Sequence, residues 1–210
     1  MSRQISKHPG ATGSTLFSED LQSWLKTGRD KTLAGLIAVF AEKSFAIMFV
    51  LLMALPALPL PTGGVTHVTE AIVMLICLEL IVGRRAVWLP KKWLKLDVGK
   101  FMSAKAIKRL IAIIKWFERF SRRRWSSLLV LTPVLSALGV IIFVFTAAAF
   151  LAPPFSGLDT LPSLGVVIIS LGLILEDTLI VLAGIVVGII GVGVEIAAGT
   201  ALYSGITHFF

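Results

Sequence analysis

The sequence predicts an all-α membrane protein, a helical bundle with two related halves, broken or re-entrant helices and surface amphipathic helices. Three observations lead to this fold class. The chain of 210 residues has a mean hydropathy of +0.91, and only 15% of its residues are charged. Residues 126–158 carry no charge, which is enough for a full membrane span. Proline and glycine interrupt the other apolar segments, as in discontinuous helices.

The N-terminal part divides into a tail and a first half. Residues 1–15 are polar and predict a disordered cytoplasmic tail. Residues 16–83 predict an amphipathic helix followed by an apolar hairpin. Ser18 is the expected N-cap of that helix, with an interruption near Gly28.

The hairpin of the first half consists of two short apolar blocks, residues 44–60 and 71–82. A spanning helix needs about 20 apolar residues. The blocks therefore fit re-entrant helices, or two ordinary helices extended by polar ends. The helix breaks are expected at Pro56, Pro59 and Pro61.

Residues 84–125 form a basic section that the positive-inside rule places in the cytoplasm. Apolar residues recur there at helical spacing and predict an interfacial amphipathic helix: Ile107, Leu110, Ile111, Ile114 and Phe117. Anionic lipid headgroups are the expected partners of four further cations: Arg84, Arg85, Lys91 and Lys92. A membrane surface explains both these charges and the neighbouring tryptophans, so nucleic acid is not expected as a partner.

Residues 126–210 predict a second half, an apolar hairpin plus a final transmembrane helix. Its helix breaks are expected at Pro153, Pro154 and Gly157, and an apolar block follows at 160–175. The final helix contains Gly184 and Gly188 at GxxxG spacing, which favours close internal packing over dimerisation.

The two hairpins resemble each other in sequence. Pro56 and Pro153 are separated by 97 positions, and so are Glu79 and Glu176. Internal repeats with matching breaks are typical of transporters, whose sites lie at the repeat interface. We therefore expect the halves to pack against each other around such a site.

The candidate site residues are acids in apolar sequence and polar residues at the first break. Ionisable groups in a membrane usually face protein or water and often mark ion pathways. They are Glu79, Glu176, Asp177, Glu195, Thr62, Gly63, Gly64 and His67. Interfacial or structural roles remain open for the acids. No catalytic motif, metal-ligand cluster or cofactor motif is found, so no enzyme, metal or cofactor is expected.

The residues ALPALPLPTGG (54–64), GRRAVWLP (83–90) and SLGLILED (170–177) resemble the ExoD family of bacterial membrane proteins, and AEKSFAI (41–47) fits the start of that family. The resemblance covers residues 17–200. The second break, APPFSGLDTLPS (152–163), departs from the family's Pro-x-Pro pattern. The resemblance implies a role in exopolysaccharide synthesis or export at the bacterial inner membrane, with polysaccharide synthesis components as partners.

Two functional hypotheses follow. The first is transport of a lipid-linked precursor, a polyprenyl phosphate or a small ion through a site formed by the broken helices. The alternative is a non-transporting accessory or scaffold of a polysaccharide synthesis complex. A homodimer is a further hypothesis, because a bundle of this size leaves little room for an enclosed pathway.

Overall fold

The computed structural model describes residues 16–27, 32–58, 65–97, 104–122, 126–153 and 156–209, and α-helices dominate these segments. A 3₁₀ turn, Ala41–Lys43, precedes the third helix. The helices are α1 (Phe17–Thr27), α2 (Leu33–Val39), α3 (Ser44–Met53), α4 (Val65–Ile81), α5 (Lys91–Leu94), α6 (Ala104–Phe120), α7 (Ser126–Leu129), α8 (Thr132–Leu151), α9 (Thr160–Leu175) and α10 (Thr178–Phe209).

Two helical hairpins, α3–α4 and α8–α9, form the centre of the bundle. Helix α4 packs along α8, and α9 packs along α3. The apolar side chains between the hairpins are buried, with Phe49 and Ile142 completely inaccessible to solvent. Each hairpin therefore covers part of the apolar surface of the other.

The bundle has two distinct ends. We call one of them the basic end. There the start of α3 lies beside the chain that follows α4, and the backbone N of Val87 donates a hydrogen bond to Ser44 Oγ over 3.3 Å. At the other, which we call the acidic end, His67 contacts Phe150 with ring centroids 5.5 Å apart. Both hairpins therefore enter at the basic end and turn at the acidic end.

Helices α9 and α10 approach each other closely along small residues. A Cβ added at Gly184 would lie 2.5 Å from the backbone N of Ile169, and one added at Gly165 would lie 2.6 Å from the Cα of Gly188. The expected internal packing of the GxxxG pair is confirmed.

Helices α1 and α6 lie together across the basic end. They cover a second apolar cluster that includes Leu36, Ile47 and Ile174. The amphipathic helix predicted at 107–117 is confirmed as α6. The prediction of Ser18 as an N-cap is wrong, because α1 begins at Phe17 and the Ser18 hydroxyl donates instead to Glu118 Oε2 over 2.6 Å.

Two helices are long and apolar enough to span a membrane in the described part of the chain: α8, and α10 over Thr178–Ala201. Helices α2 and α3 are bent by 108° relative to each other at the break between them. If this pair is treated as a single broken span, the number of candidate spans rises to three. The predicted block at 160–175 coincides with α9. Helix α3 has 10 residues, a length of about 15 Å, which is half of a hydrocarbon core.

Candidate functional site

The acidic end contains a buried carboxylate, that of Glu70. Helix α4 begins at Val65, directly after the PTGG segment, and therefore carries Glu70 inward by less than two turns. The side chain is 0% exposed, and neither Oε1 nor Oε2 has a hydrogen-bond partner among the described residues. A buried polar group without a partner is costly and rare, which marks this position as a candidate site.

His67 is the cationic candidate next to Glu70. Its Nδ1 lies 3.9 Å from Glu70 Oε2, one helical turn away, and 3.4 Å from Thr66 Oγ1. Phe150 of α8 packs against the imidazole ring. The ring is therefore held beside the carboxylate, beyond direct hydrogen-bond distance.

Two more acids, from other elements, lie close enough to Glu70 for their charges to interact with it. Asp159 precedes α9, and Glu195 lies in α10, about 26 Å along that helix from Thr178. Both repel a negative charge on Glu70. Burial raises the pKa of Asp159, and the neighbouring His67 partly offsets this rise. We call Glu70, His67, Asp159 and Glu195 the acidic cluster.

Two further polar atoms in this part of the protein lack partners among the described residues. Glu195 Oε2 is buried without a hydrogen bond, and so is the hydroxyl of Ser163, one turn after Asp159. No group of three or more His, Cys, Asp or Glu side chains in the described ranges has the arrangement of a metal site.

The predicted acids of the hairpins lie at the basic end instead. Glu79 Oε2 accepts a hydrogen bond from the backbone N of Trp88 over 2.8 Å and lies 3.8 Å from Arg84 Nη1. Gly83, with φ +86°, turns the chain after α4 and brings Arg84 back toward Glu79. This geometry fits a structural role for Glu79.

Glu176 and Asp177 also have structural contacts. Glu176 adopts a left-handed conformation (φ +57°) that ends α9, and its Oε1 lies 2.9 Å from Lys43 Nζ. Asp177 accepts hydrogen bonds from the backbone N of Arg122 and from the backbone N of Leu179 at the start of α10. These two acids connect helices at the basic end.

The remaining predicted positions are distributed as follows. Pro56 is buried in the turn after α3, Pro153 is exposed after α8, and Gly157 has φ +69°. The predicted positions Thr62, Gly63, Gly64, Pro59, Pro61 and Pro154 lie outside the described residues. The four predicted headgroup contacts are exposed near the basic end: Arg84, Arg85, Lys91 and Lys92.

Sequence reasoning singled out His67 and Glu195 but did not select Glu70 or Asp159. A signal was present for Glu70, because it follows His67 by three positions and Thr66 by four, on one helical face. Asp159 carried no comparable signal, since an acid after a Pro/Gly break is ordinary in a loop.

Comparison with known proteins gives a family match over most of the chain. Residues 17–197 match the family model described as "Exopolysaccharide synthesis, ExoD". The uncharacterized protein slr1875 of Synechocystis sp. is 29% identical over 177 residues, covering 83% of this chain and 82% of that protein. Protein ExoD of Rhizobium meliloti is 26% identical over 192 residues, covering 87% of this chain and 78% of that protein. No solved structure matches.

Proposed function

The chain belongs to the ExoD family, and we propose that it is a proton-coupled transport protein of exopolysaccharide synthesis in the bacterial inner membrane. The coupling site in this proposal is the acidic cluster. The observation that carries it is the fully buried Glu70 carboxylate, which has no hydrogen-bond partner among the described residues.

The chemistry of the cluster favours a proton as the coupling ion. Ionising a buried carboxylate without a partner costs several kcal/mol, and Asp159 and Glu195 increase that cost for Glu70. Binding one proton removes the charge. The imidazole of His67 lies 3.9 Å from the Glu70 carboxylate.

The cluster also constrains the transported species. A phosphate group would be repelled by three neighbouring acids, so an anionic substrate has to bind elsewhere. In this proposal a lipid-linked precursor or polyprenyl phosphate enters at the basic end, and protonation at the acidic end controls the packing of α4 against α8.

The proposed orientation follows from charge. The N-terminal region and residues 84–125 lie on the cytoplasmic side because they contain the cations of the chain. The acidic end then lies toward the opposite side of the membrane. Proton flow down a gradient through the site would then drive the lipid-linked precursor or polyprenyl phosphate from one end of the bundle to the other.

The two hairpins are proposed to be related by duplication, with both halves in the same orientation. Their packing is reciprocal, since α4 lies on α8 while α9 lies on α3. The 97-residue offset also pairs Thr66 with Ser163, two buried hydroxyls in the first turns of α4 and α9. An experimental structure in which rotation about one axis fails to superpose the hairpins would contradict this relation.

Proton flux into liposomes tests the transport proposal. Protein is reconstituted with an internal pH indicator, a gradient is imposed, and wild type is compared with Glu70→Gln. The matched control is Glu42→Gln, which alters an exposed acid outside the cluster. We expect Glu70→Gln to lose flux and Glu42→Gln to retain it.

Complementation in cells tests the link to exopolysaccharide. Glu70→Gln should fail to restore production in a strain that lacks the gene, at a membrane level equal to wild type. Protection of the buried Cys77 thiol from maleimide shows that the variant is folded. Full production and unchanged flux with Glu70→Gln would overturn the proposal and favour the accessory role.

The accessory role is favoured by a different observation. The segment after α4 exposes Trp88 beside Arg84 and Arg85, which is a surface suited to a partner protein. In that case, replacing the two arginines with Gln would abolish exopolysaccharide production, whereas substitutions in the acidic cluster would have no effect.

A further inference from the structure

A groove separates the polar faces of α1 and α6 at the basic end. Its volume is about 420 Å³. Helix α1 contributes Gln22, Leu25 and Lys26, and helix α6 contributes Lys108, Ile111, Ala112 and Lys115. Three lysines and Gln22 therefore surround a lining surface that is mainly apolar, to which Leu25, Ile111 and Ala112 contribute.

The groove carries an uncompensated positive charge. Three of its lining side chains are lysines, and none of its lining residues is acidic. Within the segments that the structure describes, none of these lysines forms an ion pair. Three ammonium groups around one groove attract a multiply charged anion more strongly than a singly charged one.

An apolar cavity adjoins the groove on its inner side. Leu25 and Ile111 line both spaces. The cavity is narrow, about 40 Å³, and all the side chains that line it are apolar: Phe17, Leu21, Trp24, Leu25, Leu36, Ile47, Val50, Leu51, Ile107, Leu110, Ile111, Ile114 and Ile174. Such a cavity accepts hydrocarbon and excludes charged groups. A space of this volume holds no more than the end of one hydrocarbon chain.

The outer side of α6 places this groove at the membrane surface. Trp116 is 57% exposed and Phe120 is 66% exposed, and Ile113 lies on the same side of the helix. Exposed aromatic residues on an amphipathic helix are typical of the headgroup region. A lipid could therefore reach the groove without leaving the bilayer.

We propose that this groove binds a single-chain lipid phosphomonoester, with the phosphate among Lys26, Lys108 and Lys115 and the hydrocarbon chain against Leu25 and Ile111. A phosphomonoester carries about −1.5 to −2 at pH 7, which matches three lysines better than the single charge of a phosphodiester. As a substrate site this rests on the proposed function, but the binding itself does not depend on transport.

Binding in detergent or nanodiscs tests the proposal directly. The probe is a fluorescent polyprenyl phosphate, and the competitors are phosphatidylglycerol and unlabelled polyprenyl phosphate. The double variant Lys108→Gln with Lys115→Gln should weaken binding by about thirtyfold, at about 1 kcal/mol for each lysine near an anionic group. The matched control, Arg109→Gln with Arg119→Gln, removes the same charge from exposed positions of the same helix outside the groove and should weaken binding less than about threefold.

Three results would overturn the proposal: no saturable binding, equal weakening by both double variants, or equally effective competition by phosphatidylglycerol. The last result would assign the groove to ordinary two-chain phospholipid. A second variant, Ile111→Asn, should weaken binding of the fluorescent polyprenyl phosphate. Inorganic phosphate should not compete with this probe in either the wild type or the variant. Normal proton flux with no lipid binding would refute this inference alone, whereas binding without flux would refute the coupling proposal alone.

Discussion

Lys43 and Glu176 join the two hairpins at the basic end, with Lys43 Nζ 2.9 Å from Glu176 Oε1. The same ammonium group donates a hydrogen bond to the carbonyl oxygen of Ile174 over 2.8 Å. Lys43 precedes α3, and Glu176 ends α9, so one side chain connects the start of the first hairpin to the end of the second. This pair accounts for an acid whose position in an apolar sequence had indicated a coupling role.

The Lys43–Glu176 pair should contribute modestly to stability. Each side chain is about one-quarter exposed, so solvent screens their attraction. In a double-mutant cycle with Lys43→Ala and Glu176→Ala, we expect a coupling energy of about 0.2–1 kcal/mol from thermal unfolding in detergent. A coupling energy of zero would contradict the expected stabilisation and would show that solvent screens the pair completely.

Glu118 should hold α1 on α6. Its carboxylate accepts from the backbone N of Ser18 over 2.8 Å and from the Ser18 hydroxyl over 2.6 Å. Replacing Glu118 with Ala leaves both donors unpaired, at a cost of about 1–3 kcal/mol. Hydrogen exchange in residues 17–27 should accelerate, while the exposed control Glu19→Ala leaves it unchanged. Equal exchange in both variants would show that α1 is held by apolar packing alone.

Gly184 should tolerate no larger side chain. A Cβ there would overlap the backbone N of Ile169 in α9, whereas a Cβ at Gly193 meets no atom of the described residues within 4 Å. Gly184→Leu should therefore destabilise the protein by about 1–3 kcal/mol or more, measured as a lower midpoint of thermal aggregation. Gly193→Leu, on the same helix, should leave the midpoint unchanged. A similar loss in both variants would refute the close approach of α9 and α10.

The basic and acidic ends should be accessible from opposite sides of the membrane. A cysteine replacing Arg85 should react with an impermeant maleimide only from the cytoplasmic side, and one replacing Ser156 only from the other side. The native Cys77 is buried and gives no background. Labelling of both positions from one side would refute the proposed orientation.

Ionisation of Asp159 should destabilise the fold. Because burial raises its pKa in the folded state, folding favours the protonated form, and stability falls as pH rises above the ordinary Asp value of about 3.9. His67 partly offsets this loss, while Glu70 and Glu195 are the acids that share its surroundings. Asp159→Asn should therefore stabilise the protein more at pH 7 than at pH 4, in thermal unfolding at both values. The exposed control Glu42→Gln should show no such difference, and a stabilisation that is larger at pH 4 would contradict the sign.

The sequence alone predicted the elements with strong local patterns. The charge-free residues 126–158 contain α8, the apolar block at 160–175 is α9, and the helical spacing of Ile107 to Phe117 is α6. These predictions succeed because a helix that meets lipid or an apolar core shows that preference in its own residues. The ExoD resemblance rested on local runs such as GRRAVWLP in the same way, and the family match confirms it.

Tertiary structure decided which polar residues meet. Glu70 and Glu195 are 125 positions apart in the chain, and no local pattern pairs them. They share one end of the bundle because α9 packs closely on α10 and α4 packs on α8. Glu79 and Arg84 are close in the chain, but their separation of five positions disfavours a contact on a straight helix. The turn at Gly83 brings Arg84 back to Glu79 and so makes the contact possible. Hydropathy is a property of each residue and can be read from the sequence. A site depends on contacts between distant segments, and those contacts form only when the helices pack.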